Sequence, residues 1–308
     1  GGLTLFLAVA LMFLGEVPLV AVCHAMATLS TSGISPVGGM QSANVSVMGE
    51  IMILIFFVFA LSRLTFSADE RADGWTSLGR DPELRFGALI IVSLSLLLFL
   101  RHWAATFEDG AEITLSEGLR GLWGAVFTVT SFLTTTGFES VHWSSAQAWS
   151  GFSSPGVLLL GLAVFGGGVA TTAGGVKLLR VYALYKHGMR EMEKLVQPSS
   201  IGGAGQFARR FRRQGAYVAW IFFMLFALSI AVVMSGLSLT GSLDFEEAMI
   251  VTISALSTTG PLVELAGDSP VDLTRLGSGA WAIVTGAMIL GRLETLAIIA
   301  LLNPDFWR

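Results

Sequence analysis

The sequence predicts an all-α integral membrane protein of tandem helix/pore-helix/filter/helix repeats arranged around a central ion pore, with a broken inner helix in the middle repeat. Three observations predict it. Hydrophobic residues make up 53% of the chain and charged residues only 13%, and the mean hydropathy is +0.72, a balance that does not keep a folded surface in water. A five-residue pattern of leucine, three hydroxyl residues and glycine recurs at Leu29–Gly33, Leu133–Gly137 and Leu256–Gly260. Between Gly166 and Gly175, five glycines in ten residues interrupt an apolar run otherwise long enough to cross a bilayer.

The elements follow in chain order. Leu3 to Leu14 falls short of the roughly 17 to 25 apolar residues a membrane helix needs, so the chain is expected to be a fragment whose first helix lacks its opening turns. Pro18 to Leu29 is an amphipathic stretch of pore-helix length. It leads into the first motif, whose candidate ion-binding residues are Thr31, Ser32, Gly33 and Ile34. Val47 to Phe66 and Leu84 to Trp103 are long enough to span, on either side of an arginine-bearing loop. Gly118 to Leu133 is the second amphipathic stretch, followed by Thr135, Thr136, Gly137 and Phe138. Pro155 to Tyr185 reads as two half-helices joined by an irregular loop inside the membrane, because its glycines cannot propagate a helix. Gly215 to Met234 spans again, and Asp244 to Leu256 is the third amphipathic stretch. Thr258, Thr259, Gly260 and Pro261 follow it, and Gly277 to Leu302 closes the chain as a last span. These segments divide into three pore repeats: 1–80, 81–200 with the intramembrane loop 166–175, and 201–308.

Lysines and arginines set the orientation. Residues Lys177 to Arg213 carry nine of them and the Arg63 to Arg85 loop four, so both are expected on the cytoplasmic side. Acidic loops, with Glu108, Asp109, Glu112 and Glu117 before the second motif and Asp244, Glu246 and Glu247 before the third, then face outside and concentrate cations there. The motif chemistry suits that placement. A cation shedding water needs a ring of oxygens, which consecutive carbonyls and Ser/Thr hydroxyls supply without a fixed charge that would trap it. A single such motif is common helix-end chemistry, and the recurrence is what points to a filter.

Two internal cations and the glycine break are the candidate gating elements. Arg292 lies within the last apolar helix, where a charge is costly unless it faces water or a partner. It is either an electrostatic barrier below the filter or half of a structural pair with Glu294 or with carbonyls of another helix. Lys177 either takes part in gating or marks the return to the interface. Gly166, Gly167, Gly168, Thr171, Thr172, Gly174 and Gly175 form either a mobile constriction or a small-residue packing surface. The break is not a phosphate loop, since Gly175-Val176-Lys177-Leu178 has neither Lys directly after glycine nor Ser/Thr after Lys. His24, His102, His142 and His187 lack ligand spacing, no catalytic constellation or nucleic-acid motif is present, and the single Cys23 excludes an internal disulfide. No cofactor is expected.

The three filter motifs, the break ending Ala173-Gly174-Gly175-Val176-Lys177, and the closing Gly291-Arg292-Leu293-Glu294 and Asn303-Pro304-Asp305-Phe306-Trp307-Arg308 resemble the membrane subunit of the Trk/Ktr/HKT superfamily, in particular the bacterial Trk type. That resemblance implies four non-identical pore repeats per subunit, of which the first motif here is similar to the second, Leu133 to Phe138 to the third and Ser257 to Pro261 to the fourth. The first repeat is absent, so this chain is not expected to enclose an ion by itself. The resemblance further implies potassium, or sodium in part of the superfamily, as the transported substrate, and Arg292 as a barrier in the pore. It implies location in the cell (inner) membrane amid lipid, a homodimer, and a separate nucleotide-binding cytoplasmic regulatory subunit. The alternative is a secondary transporter with discontinuous helices around a midplane substrate site. It explains the break but not three matching outward loops.

Overall fold

The computed structural model describes residues 1–61, 81–109, 115–150, 155–169, 171–196, 206–267 and 269–293. The described residues are helical, with no β-strand among them. Helices α1 (Gly2–Phe13), α2 (Pro18–Ser30) and α3 (Val47–Leu61) pack against one another. Helix α4 (Pro82–Asp109) packs on α5 (Leu115–Leu133), which is followed by a short α6 (Trp143–Ser150) and by α7 (Pro155–Phe165) and α8 (Leu178–Val196). Helix α9 (Gln206–Thr240) packs on α10 (Phe245–Ser257) and α12 (Ser278–Leu293), with the one-turn α11 (Leu262–Leu265) between the last two. In each set a shorter helix that ends at a filter motif, α2, α5 or α10, sits between longer or more apolar ones.

Among the described residues two helices are long and apolar enough to cross a membrane, Pro82–Arg101 in α4 and Gly215–Thr240 in α9. Only 22% and 11% of their apolar windows is buried. Leu89, Val92 and Val232 are each 63% exposed. An apolar helix turned outward like this is suited to lipid and would be unstable facing water. The ends of the expected spans Val47 to Phe66 and Gly277 to Leu302 lie outside the described residues, as do Glu294 and the closing Asn303 to Arg308.

Local chemistry accounts for the pore-helix starts. Pro18 opens α2 at its first position, where a missing N–H costs nothing. Glu247 reaches back to accept from the Asp244 amide at 3.0 Å, closing the first turn of α10. Ser46 caps α3 by accepting from the Gly49 amide at 3.2 Å. Inside, one apolar core joins α4, α5, α7, α9, α10 and α12 through residues such as Phe132, Leu159, Leu237 and Ile250, and a second joins α1, α2 and α3 to Phe127 and Phe138.

Candidate ion filter and loop gate

Helices α2, α5 and α10 end in one and the same backbone turn. The amide of the third motif residue bonds three residues back, Thr31 to Thr28 (3.3 Å), Thr135 to Phe132 (3.1 Å) and Thr258 to Ala255 (3.2 Å). The next amide bonds five back, Ser32 to Ala27 (3.0 Å), Thr136 to Ser131 (2.9 Å) and Thr259 to Ser254 (3.0 Å). This pair is the Schellman cap, whose left-handed residue is usually glycine. Here it is threonine each time, with φ of 50° at Thr31, 58° at Thr135 and 56° at Thr258. A β-branched residue there costs about 1–3 kcal/mol and persists only where its surroundings hold it. No local pattern of residues signals this strain.

The strands that leave the caps meet. A Cβ added to Gly33 would stand 2.0 Å from the Thr136 carbonyl oxygen and 3.0 Å from the Pro261 ring, so only glycine fits. Gly137 faces the Thr259 methyl and the same proline, and the Thr259 hydroxyl donates to the Thr135 carbonyl at 3.3 Å. Gly33 and Gly137 have the positive φ that suits their type, but Gly260 does not. Phe138 is buried and set edge-on to His24, whereas Ile34 is exposed. Above the strands lies a cleft of about 270 Å³ lined by Ser32, Ser35, Gly137, Glu139, Pro261 and Glu264. Burial, and then the charge of Glu264, push the Glu139 carboxyl up to about 7.

Behind the first strand stands a hydrogen-bonded chain. His24, wholly buried, lies with Nδ1 3.0 Å from Glu16 Oε2 and Nε2 2.9 Å from Ser35 Oγ, two residues past Gly33. With the carboxylate accepting from Nδ1–H, the ring is held toward the strand. Behind the second strand, Glu50 of α3 accepts from Ser140 and Val141. Neither carboxylate figured in the sequence-based expectations, because each meets its partners only through the fold. Among the described residues no group of three His, Cys, Asp or Glu could hold a metal ion.

The segment between α7 and α8 is a closed loop with a narrow neck. Val176 N bonds Val164 O (2.9 Å), Lys177 N bonds Phe165 O (3.0 Å) and Leu178 N bonds Gly167 O (2.9 Å). The tip reaches the filter strands. The Gly174 amide donates to Thr135 Oγ1 at 2.7 Å, and a Cβ on Gly174 would stand 1.9 Å from the Ser257 carbonyl, so this close approach requires glycine. Thr172 donates to the Leu29 carbonyl (3.2 Å), and its hydroxyl lies 3.1 Å from that of Thr31. Thr171 instead bonds inward to the Gly168 carbonyl at 2.6 Å. Two of the three strained threonines thus hold the loop, while the Thr258 hydroxyl is buried without a hydrogen-bond partner among the described residues. On its far side the loop is tied by Gly168 N to Ala60 O (2.8 Å) and Val169 N to Glu83 Oε1 (2.9 Å).

Both candidate cations grip this loop. Lys177, buried and at φ 79°, donates through Nζ to the Thr171 carbonyl (3.3 Å) and to the Ala173 carbonyl. Arg292 donates to the Thr172 carbonyl (2.8 Å) with one guanidinium nitrogen and to the Ser30 carbonyl (3.1 Å) with the other. Its guanidinium joins the loop to the last residue of α2, occupying carbonyls of the kind a metal cation would take.

The profile of the TrkH family, described as cation transport protein, matches residues 9–305. The chain belongs to the TrkH family of cation transport proteins. It is similar to the Trk system potassium uptake protein TrkH of Salmonella typhimurium, with 30% identity over 311 residues, 99% of this chain and 60% of that protein. The corresponding protein of Halomonas elongata is 31% identical over 297 residues, 94% of this chain and 56% of its own length. Against the crystal structure of the potassium transporter TrkH from Vibrio parahaemolyticus the TM-score is 0.78 at 27% identity, covering 100% of this chain and 63% of that one. The chain thus spans about 60% of the length of the TrkH relatives it matches, and as a TrkH family member it is an integral membrane protein.

Proposed function

We propose that this chain supplies filter and gate elements of a pathway for monovalent cation uptake, with potassium as the substrate. Supporting it are the TrkH family membership, the names of the relatives as potassium uptake proteins, and above all three strained caps that bring three hydroxyl-and-carbonyl strands into contact. In this reading Thr31 to Ile34, Thr135 to Phe138 and Thr258 to Pro261 contribute oxygens that replace an ion's water. The glycine loop with Lys177 and Arg292 obstructs the path below. The three consecutive units 1–80, 81–200 and 201–308 each bring one pore helix and one filter strand. The protein sits as a multi-pass protein in the cytoplasmic membrane with filters outward and the basic 63–85 and 177–213 segments inward. It works as a homodimer with a separate nucleotide-binding subunit. The alternative of discontinuous helices around a midplane substrate site is not favoured, since the tip of the loop is spent on contacts with the filter threonines.

The test is potassium and sodium flux into liposomes carrying the full-length protein. Potassium flux down its gradient, with sodium discriminated against, is expected. Gly137→Ser should reduce that discrimination about tenfold, because the left-handed backbone angle and the close approach to Pro261 are lost. An unchanged ratio removes Gly137 from the filter, and absence of potassium flux in the unaltered protein overturns the functional reading itself.

A further inference from the structure

Glu50 is an ionisable residue in the first turn of α3 with 0% of its surface exposed. A buried carboxylate survives only when donors replace the water it has lost. Glu50 has three. Trp123 Nε1 and Ser140 Oγ (3.0 Å) donate to Oε2, and the Val141 amide donates to Oε1 at 2.6 Å. None of these donors belongs to the helix that carries Glu50. Trp123 is on α5, and Ser140 and Val141 lie in the strand that leaves the second filter motif, three and four residues past Gly137.

A filter strand discriminates between ions only if its oxygens resist collapse around the smaller one, so it has to be fixed at both ends. The inner end of this strand is fixed by the Schellman cap at Thr135 and Thr136. Its outer end passes through buried Phe138 and is then held from two sides, by Thr128 Oγ1 accepting from the Ser140 amide (3.1 Å) and by Glu50. The first filter strand has a comparable outer anchor in Ser35, held by His24 and Glu16.

We propose that Glu50 is a positioning residue for ion selectivity: it anchors the outer end of the second filter strand from the neighbouring α1–α3 unit and so sets how well that strand discriminates potassium from sodium. This rests on the reading of the motifs as an ion filter. A glutamine cannot replace it. Whichever way its amide turns, the NH₂ group faces either the Val141 amide or the Trp123 indole N–H, two donors with nothing between them to accept.

The experiment measures the potassium-to-sodium flux ratio of the full-length protein in liposomes, per monodisperse molecule. Glu50→Gln is expected to lower the ratio roughly tenfold. Ser140→Ala should lower it in the same direction by less, and Glu50→Asp should fall between Glu50→Gln and the unaltered protein. Trp123→Phe removes the one donor that is not on the filter strand and should leave the ratio within about twofold. An unchanged ratio in Glu50→Gln overturns the proposal, as does an equal loss in Trp123→Phe, which would mark Glu50 as a packing residue only. If Glu50→Gln yields no monodisperse protein, Ser140→Ala decides, and an unaltered ratio there overturns the proposal. An unaltered protein without potassium flux overturns the filter reading instead, whereas a discriminating protein that keeps its ratio without Glu50 overturns this inference alone.

Discussion

Arg292 shows what a single side chain decides here. Its planar fork spans the Thr172 and Ser30 carbonyls, so the charge and the clamp are the same group. In the proposed function this unit positive charge lies beneath a cation filter and opposes each ion that passes, an effect weakened by the water around this exposed side chain. Arg292→Ala in the full-length protein is therefore expected to raise potassium flux about tenfold. Arg292→Lys keeps the charge but cannot span both carbonyls, so its flux should lie between the two. Flux per folded molecule checks both, and an Ala variant that folds in lower yield but conducts no faster makes the clamp purely structural. The filter threonines act by a different route. Thr31 and Thr135 hold strained backbone angles, and their hydroxyls are the groups that the loop engages.

In the proposed function the loop between α7 and α8 is the element on which closure depends. Its neck bonds tie Val164 to Val176 and Phe165 to Lys177, independently of the tip. Removing Gly168 to Gly174 should therefore leave α7 and α8 in place while taking away the obstruction. A partner left behind, such as Thr135 Oγ1, costs about 1–3 kcal/mol if no water replaces the loop. Lower yield is thus expected together with basal flux raised about tenfold or more. A variant that inserts, remains monodisperse and has lost its flux would make the segment a packing element.

At the scale of the molecule, the cleft over the three strands gathers groups from the segments that follow α2, α5 and α10, among them Ser35, Glu139 and Glu264. Glu139 has its carboxyl raised from 4.5 to about 7 by burial and by Glu264. The folded protein then holds a proton that the unfolded chain has released between those values, so stability falls as pH rises through this window. Below about 4.5 this contribution is absent as a cost, and above about 7 it is fully developed. The thermal midpoint of the purified protein should drop from pH 5 to pH 8 by more in the unaltered protein than in Glu139→Gln, by about 2–4 °C per kcal/mol. Equal slopes in the two proteins would show that Glu139 is solvated in the cleft.

Composition, the thrice-repeated motif and the glycine break are properties of short windows. They determined by themselves that the chain is helical and apolar, that three helices end in matched hydroxyl-rich turns, and that one helix is split in two. Hydropathy and helix-breaking act over a few residues, which is why these features were legible. What the loop and the charges do was decided only by the tertiary structure. Thr172 stands 143 positions from Leu29, Arg292 is 262 from Ser30, and Glu50 is 90 from Ser140. No local pattern encodes a partner at such a separation. The sequence favours Arg292 as a barrier but leaves a structural pair open, and nothing in it marks Glu16 or Glu50. A buried charge is tolerated only by the donors or acceptors that the fold delivers to it, and these become visible only when distant segments pack.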